Sequence, residues 1–326
     1  MHTPSRVSVS VLIDPLVAAD TAQQILRLLR ARLDEAIAIV PIAADDDITV
    51  AVSRALAARP CRAVIAVGGD ATFDATASAL LDSTTALGIV PACGPSHVAR
   101  QLGIGTDVVA ACDIIAARLQ APVELTARRV DAMEVRGGLA VTQIVVGRLA
   151  TLGEPPPGGV LTQLRWALGA VFRVAGSTAR FEIATDGVIR RLRASTVVIA
   201  NTGAVGVAGA QWGRGIAPDD GVVDVMVIRS STLLDHLVLA WSALFGRERP
   251  RQIIHLRARD SISLRCARPQ PLHVDGVIGH GSELDVRVIG GGLHLMLPFD
   301  AFATASARAD DVAPVGPVAL AEACAS

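Results

Sequence analysis

The chain of 326 residues contains no lysine and no tyrosine, so all thirty of its basic residues are arginine. That excludes a Walker A lysine, a pyridoxal Schiff base and any lysine nucleophile. Aromatic residues make up only 3% of the chain and no basic run is interleaved with them, which argues against a nucleic-acid partner. Five cysteines (Cys61, Cys93, Cys112, Cys266 and Cys324) are odd in number and scattered, without CxxC or Cys/His metal spacing. They read as reduced thiols rather than a disulfide framework or a zinc site. No apolar run reaches the roughly 18–20 residues of a transmembrane segment. The run Val7–Ile13 meets Asp14 at once, with no cleavage site of small residues, so the expected location is cytoplasmic.

What is present is a compact, apolar chain. Hydrophobic residues supply 51% and charged residues 19%, and the length suffices for two domains with their own cores. The net charge of −1 hides an asymmetry: residues 1–126 hold 9 Arg against 13 Asp and Glu, while residues 127–326 hold 21 Arg against 18. The second half is therefore the one suited to an anionic surface.

The stretch from Ala63 to Leu81 organises the rest. Ala63–Val67 reads as a buried strand, and Phe73, Ala77, Leu80 and Leu81 recur at helical spacing. Between them lie Gly68 and Gly69, which let the backbone approach a ligand closely, followed by the unpaired N–H groups of a helix start. Such a place suits a phosphate. Asp70 is the odd residue in it, since a carboxylate repels phosphate unless a cation or proton donor intervenes. The alternative is that Asp70 or Thr72 only caps the helix.

Strands and helices alternate up to residue 122. Strands are expected at Val7–Ile13, Ala36–Ile42, Ala63–Val67 and Ala86–Val90, and helices at Thr21–Leu33, Ile48–Ala58, Val98–Leu102 and Val108–Leu119. This predicts an α/β fold with a doubly wound parallel sheet, whose ligands sit at the carboxyl ends of strands. Beyond Pro122 the pattern changes to strands with one wet face: Arg129–Val135, Val141–Val146, Arg180–Thr185, Leu192–Ala200, Val222–Ile228, Ile253–Arg259, Ser261–Arg265, Leu284–Val288 and Leu293–Leu297. A β-sandwich domain with helices at Leu161–Val174 and Leu233–Phe245 is expected, and then an alanine-rich tail from residue 303. The expected division is 1–125, 126–294 and 295–326.

Several landmarks occur in a fixed order. Gly68-Gly69-Asp70-Ala71-Thr72 follows a strand, then come Leu87-Gly88-Ile89-Val90-Pro91 and Ala99-Arg100-Gln101-Leu102-Gly103-Ile104. Downstream lie Val198-Ile199-Ala200-Asn201, Ala217-Pro218-Asp219-Asp220-Gly221, His273-Val274-Asp275-Gly276 and Leu295-Met296-Leu297-Pro298. Asn201 is the only asparagine of the chain. From about Val9 to Pro298 this order resembles the diacylglycerol kinase and sphingosine kinase family. The resemblance implies an α/β nucleotide-binding domain, a β-sandwich domain, a lipid-headgroup cleft between them and a last segment that returns to the first domain. It implies ATP phosphates lined by Gly68, Gly69, Asp70, Thr72, Phe73, Asp74 and Gly94, Asp70 and Asp275 as catalytic carboxylates, and Asp220 in a magnesium-binding loop. It also implies a lipid substrate at a membrane surface, with the chain peripheral to the inner face. Phosphoryl transfer relies on positioning and charge neutralisation, which a glycine turn and a magnesium ion beside Asp70 would supply.

The chain departs from the family pattern in four places. Asp14-Pro15-Leu16-Val17-Ala18 stands for Asn-Pro-x-Ser-Gly, Ala71 for a glycine, and Cys93-Gly94-Pro95-Ser96-His97 for Gly-Thr-Gly-Asn-Asp. Val277 replaces the glutamate that takes the proton from the lipid hydroxyl. A missing general base costs about 10² to 10⁴ in rate. Glu283 and His97 are the stand-ins to examine, with a solvated turn residue as the plain reading of Glu283 and a structural role as that of His273. Asp275 either binds metal or shapes its Asp-Gly turn. The stretch Leu164–Arg173 and the helix with Trp241 either rest on a bilayer or pack on the sandwich.

Two functions follow as expectations: an ATP- and Mg²⁺-dependent lipid kinase, or a pseudokinase of the same fold that binds lipid or nucleotide. NAD kinase is disfavoured, because Asn201 is followed by Thr202 and the chain has no tyrosine. A Rossmann oxidoreductase would need GxGxxG. The oligomeric state is open, a homo-oligomer included.

Overall fold

The computed structural model describes residues 9–33, 37–42, 47–58, 61–152, 178–203, 216–229 and 253–301, with isolated positions among 162–169 and at 232. The helix expected at Leu161–Val174 falls largely outside these residues, and the helix at Leu233–Phe245 and the tail from 303 fall wholly outside them.

The first half is a parallel sheet of β1 (Val9–Ile13), β2 (Ile37–Pro41), β3 (Ala63–Gly68) and β4 (Ala86–Pro91), in the order β2-β1-β3-β4. Every residue of β3 and β4 is buried, as continuous apolar strands covered on both faces require. The covering helices are α1 (Ala19–Arg32), α2 (Ile48–Ala58), α3 (Asp70–Ala79), the short α4 (His97–Gln101) and α5 (Val108–Gln120). α1 packs against α5, and α2 against α3. β1 pairs with both β2 and β3, so the strand order reverses there. In such sheets the crevice for a ligand opens at that reversal. Here it lies where Asp14, just past β1, meets Gly68 at the end of β3; the Asp14 N–H donates to the Val67 carbonyl at 2.9 Å.

The second half is antiparallel: β5 (Arg128–Val135), β6 (Gly138–Ala140), β7 (Gln143–Gly147), β8 (Ala179–Thr185), β9 (Val188–Ala194), β10 (Thr196–Ala200), β11 (Val223–Ile228), β12 (Ile253–Ala258), β13 (Ser261–Val274) and β14 (Val277–Leu295). Its core gathers Met133, Ile144, Phe181, Ile183, Ile199, Val225 and Leu264. β13 and β14 form one long hairpin, whose register shifts between Arg265 and Gln270. At the far end of β14, Leu295 pairs in parallel with Leu87 of β4, which joins the two halves into one continuous ladder. Arg118 of α5 fastens this return, donating to the carbonyls of Leu297, Leu125 and Pro298 and stacking on Phe299 at 3.9 Å. Burial lowers the pKa of that guanidinium, and Arg128 nearby lowers it further.

Three strand expectations change. Leu192–Ala200 is not one strand but the end of β9 and all of β10, broken at Ser195. There the chain leaves β8 as its partner and takes up β7 and β11. Leu284–Val288 and residues 293–295 belong to the single strand β14, which ends before Met296 and Leu297, and Ser261–Arg265 is only the start of β13. Pro269, Pro271 and the glycines 279 and 281 suggested breaks, but the two prolines lie at or just past the register shift, where the ladder is already interrupted.

Candidate active site

The bend after β3 is tight for a reason other than backbone angle. Neither Gly68 nor Gly69 has a positive φ; Gly69 is extended at φ −103°, ψ −172°. Gly68 is needed because a Cβ there would lie 2.7 Å from Thr72 Oγ1 and 2.8 Å from the Asp14 Cβ. Thr72, fully buried, donates its hydroxyl to Asp14 Oδ2, and Asp14 Oδ1 accepts from the Leu16 N–H at 2.8 Å. The Asp14-Pro15 turn is thus tied to α3. Ala71 is helical, exposed and at negative φ, so a side chain there causes no strain. Gly94, at φ +83°, forms an exposed rim with Pro95. The bend is open toward solvent at half-buried Gly69, where an added Cβ would meet only the Cys93 Cβ, at 3.5 Å. Two expected lining residues do not line it. Phe73 is 1% exposed in the first-domain core, and Thr72 turns inward to Asp14.

Asp70 does not leave its charge in the bend. Its Oδ2 accepts from the His97 N–H at 2.9 Å, and its Oδ1 accepts from the Ser96 hydroxyl and from the Val98 N–H at 3.4 Å. The carboxylate is the anion at the start of α4, which accounts for a negative charge beside a phosphate-suited turn. The second domain meets it there. A Cβ on Gly276, whose φ is +100°, would lie 2.8 Å from Asp70 Oδ2 and 3.5 Å from the His97 Cβ. The turn between β13 and β14 therefore rests directly on Asp70 and α4.

Asp275, in the same turn, is fully buried at φ +40°. Its carboxylate accepts from the N–H groups of Val141 (2.5 Å), Thr142 (3.0 Å) and Gln143 (2.8 Å) and from the Thr142 hydroxyl. Every oxygen is committed to the 141–143 backbone, so Asp275 shapes the turn and holds its neighbours instead of facing an acceptor. Asn201 grips the same segment, donating to the carbonyls of Val141 and Asp131, while its own Oδ1 is buried without a partner. Gln143, so positioned, brings its Nε2 to 3.1 Å from His97 Nε2. The His273 ring stands edge-on to His97 at 5.2 Å. Gln143 has no signal as a site residue in the sequence, because it is an ordinary strand residue there, whereas Asp14 and Ser96 stand only as departures from the family motifs. Glu283 is exposed on the β13–β14 hairpin and pairs with Arg265 at 2.6 Å, which removes it as a stand-in base.

Asp74 is the uncompensated group. Burial raises its pKa to about 9, with Asp275 and Asp70 adding repulsion, and its Oδ1 has no hydrogen-bond partner. Its charged form is disfavoured there by burial and by the two neighbouring carboxylates. Asp220, the expected magnesium ligand, lies on the turn before β11. Its Oδ1 accepts from the Val222 N–H at 3.0 Å, and partial burial, with Asp224 and Asp131 near, raises its pKa to about 6. Its neighbours are engaged: Asp131 by Gly221 and Gly291, Asp219 by Arg128, and Asp224 by Arg257. Among the described residues no three His, Cys, Asp or Glu side chains converge on one point. The donor set fits a nucleotide phosphate at the open start of α3 but not a magnesium ion held by protein groups alone. A concavity of about 640 Å³ along α1, lined by Asp20, Gln24, Arg27 and Leu28, shares no residue with this junction.

Comparison with known proteins matches these halves separately. The diacylglycerol kinase catalytic domain matches residues 8–127, and the YegS C-terminal NAD kinase beta sandwich-like domain matches residues 159–297. The uncharacterized protein sll0036 of Synechocystis is 26% identical over 242 residues, 73% of this chain and 55% of that protein. The chain thus spans about half the length of that curated relative. A Bacillus anthracis str. Sterne protein described as a candidate diacylglycerol kinase superposes with a TM-score of 0.69 at 18% identity, over 92% of this chain and 100% of that one. Another from the same strain, described as a diacylglycerol kinase, gives 0.66 at 17% identity with the same coverage. At such identities the structural likeness is one of fold, α/β domain followed by β-sandwich. No helix among the described residues is long and apolar enough to cross a membrane. With both halves matched in order, the chain carries a diacylglycerol kinase catalytic domain followed by a YegS C-terminal NAD kinase beta sandwich-like domain.

Proposed function

We propose that the protein transfers the γ-phosphate of ATP to a hydroxyl of a membrane lipid of the diacylglycerol class. The observation that carries this reading is the seating of Gly276 on Asp70, which brings the acceptor-side turn of the second domain to the open bend at the start of α3. In this reading residues 1–125 hold the nucleotide, residues 126–294 present the lipid, and the chain returns to the first domain from Leu295 before its alanine-rich tail. The unpaired N–H groups of α3, approached closely past Gly69, bind the phosphates, with Gly94 on the opposite rim. Magnesium bound to ATP would supply charge neutralisation at the phosphates while keeping most of its water, since the described residues do not hold it alone. Asp70 and Asp275 act as positioning groups: one fixes α4 and the Gly276 turn, the other fixes the segment that carries Gln143. His97, lying against Gly276, takes the acceptor proton at Nε2 in place of the glutamate that Val277 replaces, releasing the Gln143 amide N–H that this nitrogen otherwise accepts. The chain works in the cytoplasm at the inner membrane face.

The test is labelled ATP and a panel of lipids in mixed micelles, with unfolding followed in Mg·ATP. Labelled lipid and a raised midpoint are expected. Absence of both would remove the kinase reading. A second reading rests on Val277, which is 57% exposed beside Gly276 with no carboxylate at that position. It is a pseudokinase that binds Mg·ATP without transfer, and a raised midpoint with no labelled lipid would select it.

A further inference from the structure

The hairpin of β8 and β9 carries a charge arrangement that the site does not use. Its inward face, Phe181, Ile183 and Leu192, packs into the second core. On its outward face Arg180 lies directly opposite Arg193, Glu182 opposite Arg191, and Ala184 opposite Ile189. Like charges set opposite each other destabilise an antiparallel pair. Glu182 neutralises Arg191 at 2.6 Å, but among the described residues neither Arg180 nor Arg193 makes an ion pair or hydrogen bond. The adjoining strands differ. There Arg265 pairs with Glu283 and Asp285, and Arg287 with Glu134. The facing arginine pair thus stands on the hairpin at the sheet edge, where among the described residues β9 pairs only with β8. On that outward face Ile189 is 60% exposed, and Val188 at the hairpin end, on the other face, is 54% exposed.

We propose that the outward face of this hairpin docks the protein on an anionic lipid bilayer. The occupant follows from charge complementarity: an unneutralised arginine pair needs anions, and an exposed branched aliphatic side chain suits an interface between headgroups and acyl chains. A nucleic acid would be met by stacking aromatics, and the one aromatic residue of the hairpin, Phe181, is buried in the core. The choice of a bilayer over an acidic protein rests on the lipid-acceptor reading above. The face lies midway along β13 from the Asp275-Gly276 turn, since Phe181 pairs with Cys266. From Cys266 to Val274 is eight residues, a span of about 26 Å along the strand. Docking here therefore holds the second domain on the membrane without covering the bend.

The experiment is sedimentation of the full-length protein with vesicles of phosphatidylcholine alone and of phosphatidylcholine with phosphatidylglycerol, at low and high salt. Binding to the anionic vesicles only, weakened by salt, is expected. A surface arginine contributes about 1 kcal/mol at such a membrane, so R180Q/R193Q weakens vesicle partitioning about 25-fold, roughly fivefold per arginine. Ile189→Ser weakens it further, and removal of the arginine repulsion leaves the thermal midpoint unchanged or raised. Equal binding to both vesicle types, or unchanged binding by R180Q/R193Q, overturns the proposal, as does a preference of this face for single-stranded RNA or a polyglutamate peptide. Failure of the kinase reading shows differently. Vesicle binding without phosphate transfer leaves the surface standing, whereas transfer to a short-chain soluble diacylglycerol without vesicle binding sinks the surface alone.

Discussion

Asp74→Asn tests the electrostatics of the domain junction most directly. Asp74 is buried against Asp275 and Asp70 with one oxygen unpaired, and its pKa of about 9 lies far above the 3.8 of an exposed aspartate. The folded protein therefore keeps a proton that the unfolded chain gives up. Stability from this group is fully present below pH 3.8 and is lost as pH rises toward about 9. Within that window the loss is about 1.4 kcal/mol per pH unit. Asparagine has the same shape and does not titrate. The variant should gain on the wild type by about 2 to 3 kcal/mol between about pH 6 and about pH 8. Urea unfolding of both proteins across that range measures the difference. Parallel pH dependences would refute the reasoning, because they would mean that Asp74 is already ionised in the folded state and that a cation compensates it.

Three further outcomes are expected. Asp275→Ala leaves the buried N–H groups of Val141, Thr142 and Gln143 unsatisfied. At about 1 to 3 kcal/mol each this costs several kcal/mol in chemical denaturation. Gly276→Ala places a Cβ 2.8 Å from Asp70 Oδ2 at a positive φ. Its stability should fall by about 1 to 3 kcal/mol, and phosphate transfer should fall more than Mg·ATP binding does. Val277→Glu, at an exposed position, restores a carboxylate beside the turn. If the missing base limits turnover, labelled-lipid formation rises by up to about 10² to 10⁴ with unchanged ATP affinity; an unchanged rate would show that the proton is already handled elsewhere.

Much of the fold follows from patterns local to the chain. Continuous apolar runs such as Ala63–Gly68 can only be strands covered on both faces, and the helix over Ile48–Ala58 has the bounds that its apolar spacing sets. The position of the glycine bend at the carboxyl end of a parallel strand is equally local. The long β13–β14 hairpin was not legible, because prolines and glycines that usually break strands are tolerated at a register shift. The division of Leu192–Ala200 depends on which strands lie beside it, and that is a property of the assembled sheet.

The site divides in the same way. Residue types alone determined that a phosphate-suited turn exists, that no lysine serves it, and that valine stands where the family carries its base. Only the tertiary structure decided what the acids do. Asp70 and Asp275 are alike in a sequence, but one accepts at the start of α4 and the other accepts from three N–H groups of a distant segment. Among the described residues Asp74 Oδ1 has no such partner, and burial raises its pKa. A carboxyl group's role is set by the donors and charges within a few ångströms of it, and those arrive from segments up to 201 residues away along the chain, as Asp275 does beside Asp74.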